Sequence, residues 1–271
     1  MTPTFMYGTA WKEDRTAECV RQALEAGFTA IDTANQRRHY YEEGVGKALQ
    51  EAIAAGRTAR DRLFLQTKFT YRRGQDHRLP YDPEDSLAHQ VEQSMASSLE
   101  HLGTSYVDSL VLHGPASNDG WSADDQQVWH AMVLLQAAGK TRVLGVSNVS
   151  RRHLDGLAFS GAPLPAYVQN RCYARQGWDR SVRAFCKERN IVYQGFSLLT
   201  ANPDALGHPQ LLAIARAYGA TPAQVVFRFA QRVGMLPLTG TTDPAHMRED
   251  LAAQTLPLTD AQVATIESLV G

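Results

Sequence analysis

Eight short apolar runs alternate with helical patterns along the whole chain, and each run is followed by a helix before the next run begins. The runs are FMYGTA, FTAIDTA, LFLQTKF, YVDSLVLH, TRVLGVS, PAYVQN, IVYQGF and MLPLTG. Amphipathic periodicity and glycine stops place helices over Glu13–Ala26, Glu42–Ala55, Pro83–His101 and Asp124–Ala138, and a helical stretch follows each of the last four runs. Strands joined through helices must be parallel, because a parallel pair needs a crossover connection. The count of eight selects a closed (β/α)8 barrel, the TIM-barrel architecture, over an open doubly wound sheet, and 271 residues suit it. With no proline-rich or low-complexity linker, a single domain over residues 1–271 is expected.

In such a barrel, the loops leaving the carboxyl ends of the strands build the active site. Asp32, Lys68 and His113 stand at the ends of the second, third and fourth runs, and Tyr40-Tyr41 follows Asp32 in HYYEEGVG. Singly, each has an ordinary explanation: Asp32 as a loop cap, His113 as a loop histidine, the tyrosines as packing at a helix entrance. Lys68 is harder to explain, since a lysine ending an apolar strand is costly unless paired. Together they form a proton-relay set. A lysine beside a phenol lowers its pKa, an aspartate holds the lysine, and a histidine donates to the same substrate oxygen. That chemistry suits carbonyl reduction, and because no side chain supplies hydride, a nicotinamide cofactor is required. A metal-dependent barrel would need more His and carboxylates at strand ends than Asp32 and His113, so no metal is expected.

Bulk properties exclude other classes. The net charge of −1 and pI near 6.8 give no general attraction for nucleic acid or an anionic membrane. Cys19, Cys172 and Cys186 lack metal-binding spacing and read as reduced thiols. The start MTPTFMYGTAW lacks a signal-peptide pattern, and no apolar run reaches membrane-spanning length, so a soluble cytoplasmic protein is expected.

The ordered motifs GTAW, IDTA…YYEEGVGKAL, LQTKF, SLVLHGP, GKTRVLGVSN, YVQNRCY and LTGTTDPAHMREDL resemble the aldo-keto reductase family from about Tyr7 to the C-terminus. The resemblance implies Asp32, one tyrosine of the Tyr40-Tyr41 pair, Lys68 and His113 as a catalytic tetrad. It implies an alcohol dehydrogenase (NADP+)-type enzyme that reduces small aldehydes or ketones with NADPH, NADH being possible, and that acts as a monomer. Ser147, Asn148 and Gln169 are implied as nicotinamide carboxamide ligands and Phe196 as the ring that stacks on the nicotinamide. The resemblance further implies cofactor contacts from Gly8, Thr9, Leu198, Gly240, Thr241, Thr242, His246 and Asp250. Trp11, Tyr71 and Trp121 are the expected substrate-pocket residues. A cofactor-binding regulatory or partner-binding subunit on the same barrel is the alternative.

The chain departs from the family pattern in three places. Position 37, the usual tyrosine slot counted forward from the aspartate, is Arg37; counting back from Glu42 puts His39 there, so the longer loop decides which side chain points inward, with Tyr40 the first choice. TGTTDPAHMRED lacks the family's usual lysine and places His246 at the arginine position, with Arg248 nearby, which weakens the expected grip on a 2′-phosphate. The chain stops soon after TDAQVATIESLV without a long tail, implying an open site walled by Trp11, the loop 69–83 and the segment 116–121. That long loop, rich in Arg, His and Tyr, is expected to close over the site and offer cations to a polar substrate.

Overall fold

The computed structural model describes residues 3–269. Eight parallel strands close into a barrel in sequence order: β1 (Met6–Gly8), β2 (Ala30–Asp32), β3 (Phe64–Phe69), β4 (Val107–Leu112), β5 (Thr141–Ser147), β6 (Tyr167–Arg171), β7 (Val192–Phe196) and β8 (Met235–Thr239), with β8 pairing back onto β1. Closure leaves no strand edge unpaired.

Around the barrel run α1 (Thr16–Ala26), α2 (Glu42–Ala54), α3 (Leu87–Leu102), α4 (Ala123–Ala137), α5 (Arg151–Phe159), α6 (Arg180–Glu188), α7 (Pro203–Leu206), α8 (Pro209–Tyr218), α9 (Pro222–Arg232), α10 (Pro244–Ala252) and α11 (Asp260–Glu267). The expected helices are present. Three helices rather than one follow β7, and two follow β8. α3 begins at Leu87, not Pro83, because the Ser86 hydroxyl caps it by accepting from the His89 N–H at 3.3 Å. Gly27 and Gly103, at φ 111° and 63°, end α1 and α3 in the left-handed conformation that glycine adopts without penalty.

The main core lies between barrel and helices, where Trp129, Phe185, Phe227 and Phe229 are fully buried. Each such aromatic contributes roughly 1.5–3 kcal/mol through removal from water. Inside the barrel the period-two alternation of strands sorts residues into layers. The lower layer is apolar, with Met6, Ala30, Tyr167, Leu236 and Leu238 buried and Phe64 and Val192 packed on them. Two residues further along the same strand faces stand Asp32, Gln66, Gln169 and Gln194, all buried. The interior therefore turns from apolar to polar toward the carboxyl ends of the strands. No helix of the described residues is long and apolar enough to cross a membrane.

Candidate active site

The polar layer is built around one ion pair. Lys68 Nζ lies 2.7 Å from both Asp32 carboxylate oxygens and donates a third bond to the Thr33 carbonyl at 2.7 Å. All three ammonium protons are thus used, and the pair is shut away from solvent. Asp32 Oδ1 also accepts from Gln66 Nε2 at 2.7 Å and from Gln169 Nε2 at 3.0 Å. Gln194 Oε1 receives the same two amides, each at 2.9 Å, and its own Nε2 donates to Gln66 Oε1 at 3.1 Å. A buried carboxylate is tolerable only when so satisfied. Burial draws the lysine pKa below its ordinary value, and the Asp32 charge works against that shift.

The loop after β2 places the two tyrosines differently. Tyr40 lines a cleft at this rim, with its ring centroid 5.1 Å from Lys68 Nζ and 5.8 Å from that of His113, the two rings at 70° to each other. Among the described residues its hydroxyl has no hydrogen-bond partner. Tyr41 is the residue before α2, does not line the cleft, and carries the Arg37 guanidinium over its ring at 4.3 Å. His39 stands at the mouth, stacked on Trp11 at 3.9 Å, while Trp11 itself is 68% exposed. The pKa expectation fails. Lys68 is spent on Asp32 and Thr33, and burial, followed by the Asp32 charge, raises the Tyr40 phenol above its ordinary value. Tyr40 is accordingly held in the protonated form.

His113 follows β4 directly. Its backbone N–H donates to the Phe69 carbonyl at 2.9 Å, its carbonyl accepts from Asn148 Nδ2 at 2.8 Å, and Nδ1 lies 2.7 Å from Thr70 Oγ1. Burial, and then the charges of Lys68 and His39, hold its pKa well below the usual histidine value, so the imidazole is neutral.

The cleft encloses about 1040 Å³. Besides Asp32, Tyr40 and His113, it is lined by Gly8, Trp11, Tyr71, Ser147, Asn148, Gln169, Phe196, Leu198 and Gly240. Asn148 adopts φ 56°, a conformation asparagine tolerates better than most residues, and its amide reaches Ser147 Oγ at 3.2 Å. Lys12, also on the wall, donates to the Gly240 carbonyl. Tyr71 is tied by its hydroxyl to Asp125 at 3.0 Å.

Several expected residues stand elsewhere. Trp121 is outside the cleft: its indole donates to Gln126 Oε1 at 2.9 Å and its ring meets Trp129 edge-on, because the capped start of α4 turns it onto the helix layer. Thr9 is fully buried and fastens the end of β1 to the Asp32 carbonyl, through Oγ1 and N–H at 3.0 Å each. Beyond Gly240, the Thr241 carbonyl accepts from Tyr7 at 2.9 Å, and Thr242, His246 and Arg248 are exposed. Asp250 is buried against the Thr239 hydroxyl at 2.7 Å, and burial pushes its carboxyl up to about 6. Gln66, Gln194 and Thr70 were not among the expected site residues, although Gln66 lies two residues before Lys68 and Gln194 two before Phe196, hence on the same strand faces.

This geometry can be set beside known proteins. A profile of the Aldo/keto reductase family matches residues 4–202. An aldo-keto reductase of Mycolicibacterium vanbaalenii is 32% identical over 98% of this chain and 88% of its own length. The methylglyoxal reductase DkgB of Yersinia pestis is 30% identical over 98% of this chain and 92% of its own. Among solved structures, an aldo/keto reductase from Brucella melitensis superposes with a TM-score of 0.82 at 27% identity, covering 98% of this chain and 95% of that one. The protein belongs to the aldo/keto reductase family.

Proposed function

We propose that the protein reduces aldehydes and ketones to alcohols with NADPH as the favoured cofactor and NADH as a second donor. The observation that carries this reading is the packing of Tyr40 between Lys68 and His113 on the cleft, with its hydroxyl unpaired among the described residues. The tetrad is then Asp32, Tyr40, Lys68 and His113. Family membership and the similarity to a methylglyoxal reductase support a small carbonyl compound as the substrate class.

The residues around the cleft fit a nicotinamide nucleotide. Gln169 spends its amide protons on Asp32 and Gln194, which leaves its Oε1 to accept from a carboxamide. Ser147 and Asn148 stand beside it, and Phe196 offers a ring face to stack on. At the far end a 2′-phosphate would meet Thr241, Thr242, His246 and Arg248. Asp243 already caps the start of α10 at 2.7 Å from the Ala245 nitrogen, and Pro244 has no N–H, so few free backbone donors remain there. That is the basis for weak discrimination between the two cofactors. A reduced nicotinamide, when bound, supplies the hydride that no side chain can.

This chain's residues handle the proton. Tyr40 holds a proton on Oη at neutral pH and gives it to the oxygen that becomes the alcohol. Neutral His113 fixes the direction of the carbonyl by donating to the same oxygen. Lys68 and Asp32 keep a charge-balanced dipole under the phenol, and the glutamine layer prevents that pair from relaxing. The test is purified protein with NADPH and 4-nitrobenzaldehyde. Loss of nicotinamide absorbance that vanishes in Lys68→Met supports the reading. Tight cofactor binding without turnover, across a panel of aldehydes, would refute it in favour of a regulatory subunit.

A further inference from the structure

We infer that Thr70 is a positioning residue whose hydroxyl holds His113 in the form with its ring proton on Nε2, directed into the cleft. The inference rests on the carbonyl-reductase reading of the same site. It also assigns a purpose to the long loop after β3.

Thr70 Oγ1 lies 2.7 Å from His113 Nδ1, and Thr70 is 6% exposed. Two arrangements of protons satisfy that contact. If Nδ1–H donates to Oγ1, the hydroxyl proton has no acceptor among the described residues, and a bare Nε2 lone pair faces the substrate oxygen. If the hydroxyl donates to Nδ1, its one proton is paired and Nε2 carries the ring proton into the cleft. A buried unpaired hydroxyl is costly, so the second arrangement is favoured. Only that form can donate to a developing alkoxide. Burial and the neighbouring Lys68 and His39 keep the ring neutral, and Tyr40, the other titratable group packed on it, carries no charge while protonated.

Thr70 is itself held in place from the loop. Its carbonyl accepts from the Tyr81 hydroxyl at 2.8 Å and from Gln75 Nε2 at 3.4 Å. A Cβ at Gly74 would come within 2.7 Å of the Thr70 methyl, so a side chain at position 74 would have to displace Thr70. Arg73 donates to the carbonyls of Pro115 and Ala116, just past His113, while Arg72 pairs with Glu84 at 3.3 Å. Gln36 Nε2 to the Gly74 carbonyl at 2.6 Å and Gln75 Nε2 to the Asn35 carbonyl at 2.8 Å fasten the loop to the segment after β2. The sequence suggests a closing lid that offers cations; the contacts describe a brace that seats Thr70 and the His113 turn.

The experiment is a two-bond 1H–15N correlation spectrum of the imidazoles in 15N-labelled protein at neutral pH, with and without NADP+, for the wild type, Thr70→Val and Thr70→Ser. In the wild type, His113 is expected to show a protonated Nε2 and a bare Nδ1. Thr70→Val should shift the Nδ1 resonance away from the wild-type position and lower carbonyl kcat/KM about tenfold, with the KM for NADPH changed less than about twofold. Thr70→Ser should restore both readouts to within about threefold. A wild-type spectrum with the proton on Nδ1, or a folded Thr70→Val with wild-type spectrum and rate, overturns the inference. If Thr70→Val does not fold by circular dichroism, the wild-type spectrum and the serine variant decide. Wild-type protein with the expected tautomer but no turnover of any carbonyl would count against the proposed activity and leave the ring arrangement standing.

Discussion

Both ends of the barrel contain a buried carboxylate held by cations, and they differ in what is left over. At the amino end Asp108 accepts from Arg60 Nη1 at 2.8 Å and the Leu65 N–H at 3.0 Å, with Arg142 Nη1 at 3.3 Å. Arg60 also reaches the carbonyls of Leu63 and Tyr106 and the Thr104 hydroxyl, and the two guanidinium groups stack on the Tyr106 ring at 4.1 and 4.6 Å. Arg60 there is answered by protein at each of its three nitrogens, while Arg142 stays half in solvent. At the carboxyl end Asp32 and Lys68 are equally satisfied, but Tyr40 and His113, packed beside them, line a cleft. The same ionic motif is closed off by its neighbours at one end of the barrel and lies beneath an open cleft at the other.

Damage to the two ends should separate activity from stability. The largest effect is expected for Lys68→Met, which should lower turnover by roughly 10³-fold, about 4 kcal/mol of barrier, in steady-state aldehyde reduction. Asp108→Ala comes next. It leaves the Leu65 N–H without its acceptor and Arg60 without its counter-charge, and should cost about 3–5 kcal/mol in urea unfolding while kcat of the surviving folded protein stays near wild type. Equal loss of activity in both variants would break the distinction.

A smaller test uses pH. The Tyr40 pKa is raised, so the donor form persists to alkaline pH; the His113 pKa is lowered, so the neutral form persists to acid pH. Reduction kcat/KM should therefore be flat from about pH 6 to about pH 9, and a limb inside that window would contradict one of the two assignments. The smallest effect belongs to a half-solvated pair between α2 and α3, where His101 Nδ1 lies 3.4 Å from Glu42 Oε2 and the Glu42 contact raises the histidine pKa. The sign follows from the raised value: this stabilisation is fully present below the unfolded pKa of about 6.5 and is lost as pH rises through the native one. His101→Asn should cost less than about 1 kcal/mol at pH 5.5, with the difference closing above that range, measured by denaturant titration.

Much of this arrangement is legible in the sequence. FTAIDTA, LFLQTKF and SLVLHGP mark the strand ends because period and punctuation are local properties, and closure after eight units brings Asp32, Lys68 and His113 to one rim. The choice between Tyr40 and Tyr41 is not local. It depends on how the loop after β2 meets α2, where Tyr41 at φ −134° and ψ 86° turns toward Arg37 and leaves Tyr40 in the cleft. The glutamine layer was readable in principle, since Gln66 shares a strand face with Lys68, but a polar residue in an apolar run shows no partner until the barrel closes. Trp121 shows the opposite failure: its position beside the cleft loops suggests a wall, and the capping of α4 by Ser122 and Asp125 turns it away. The raised phenol pKa follows from the burial of Tyr40 and from the nearby Asp32 charge, and burial of a loop residue is set only when the barrel and its loops have assembled.

The most direct test of the account is a paired substitution, Tyr40→Phe and Tyr41→Phe, each assayed for aldehyde reduction at saturating NADPH. Each change removes one hydroxyl and leaves the aromatic packing. Tyr40→Phe is expected to lower turnover roughly 10²–10⁴-fold, and Tyr41→Phe to stay within about twofold of wild type. Loss of activity in Tyr41→Phe with activity retained in Tyr40→Phe would contradict the assignment of the proton donor and the site built around it.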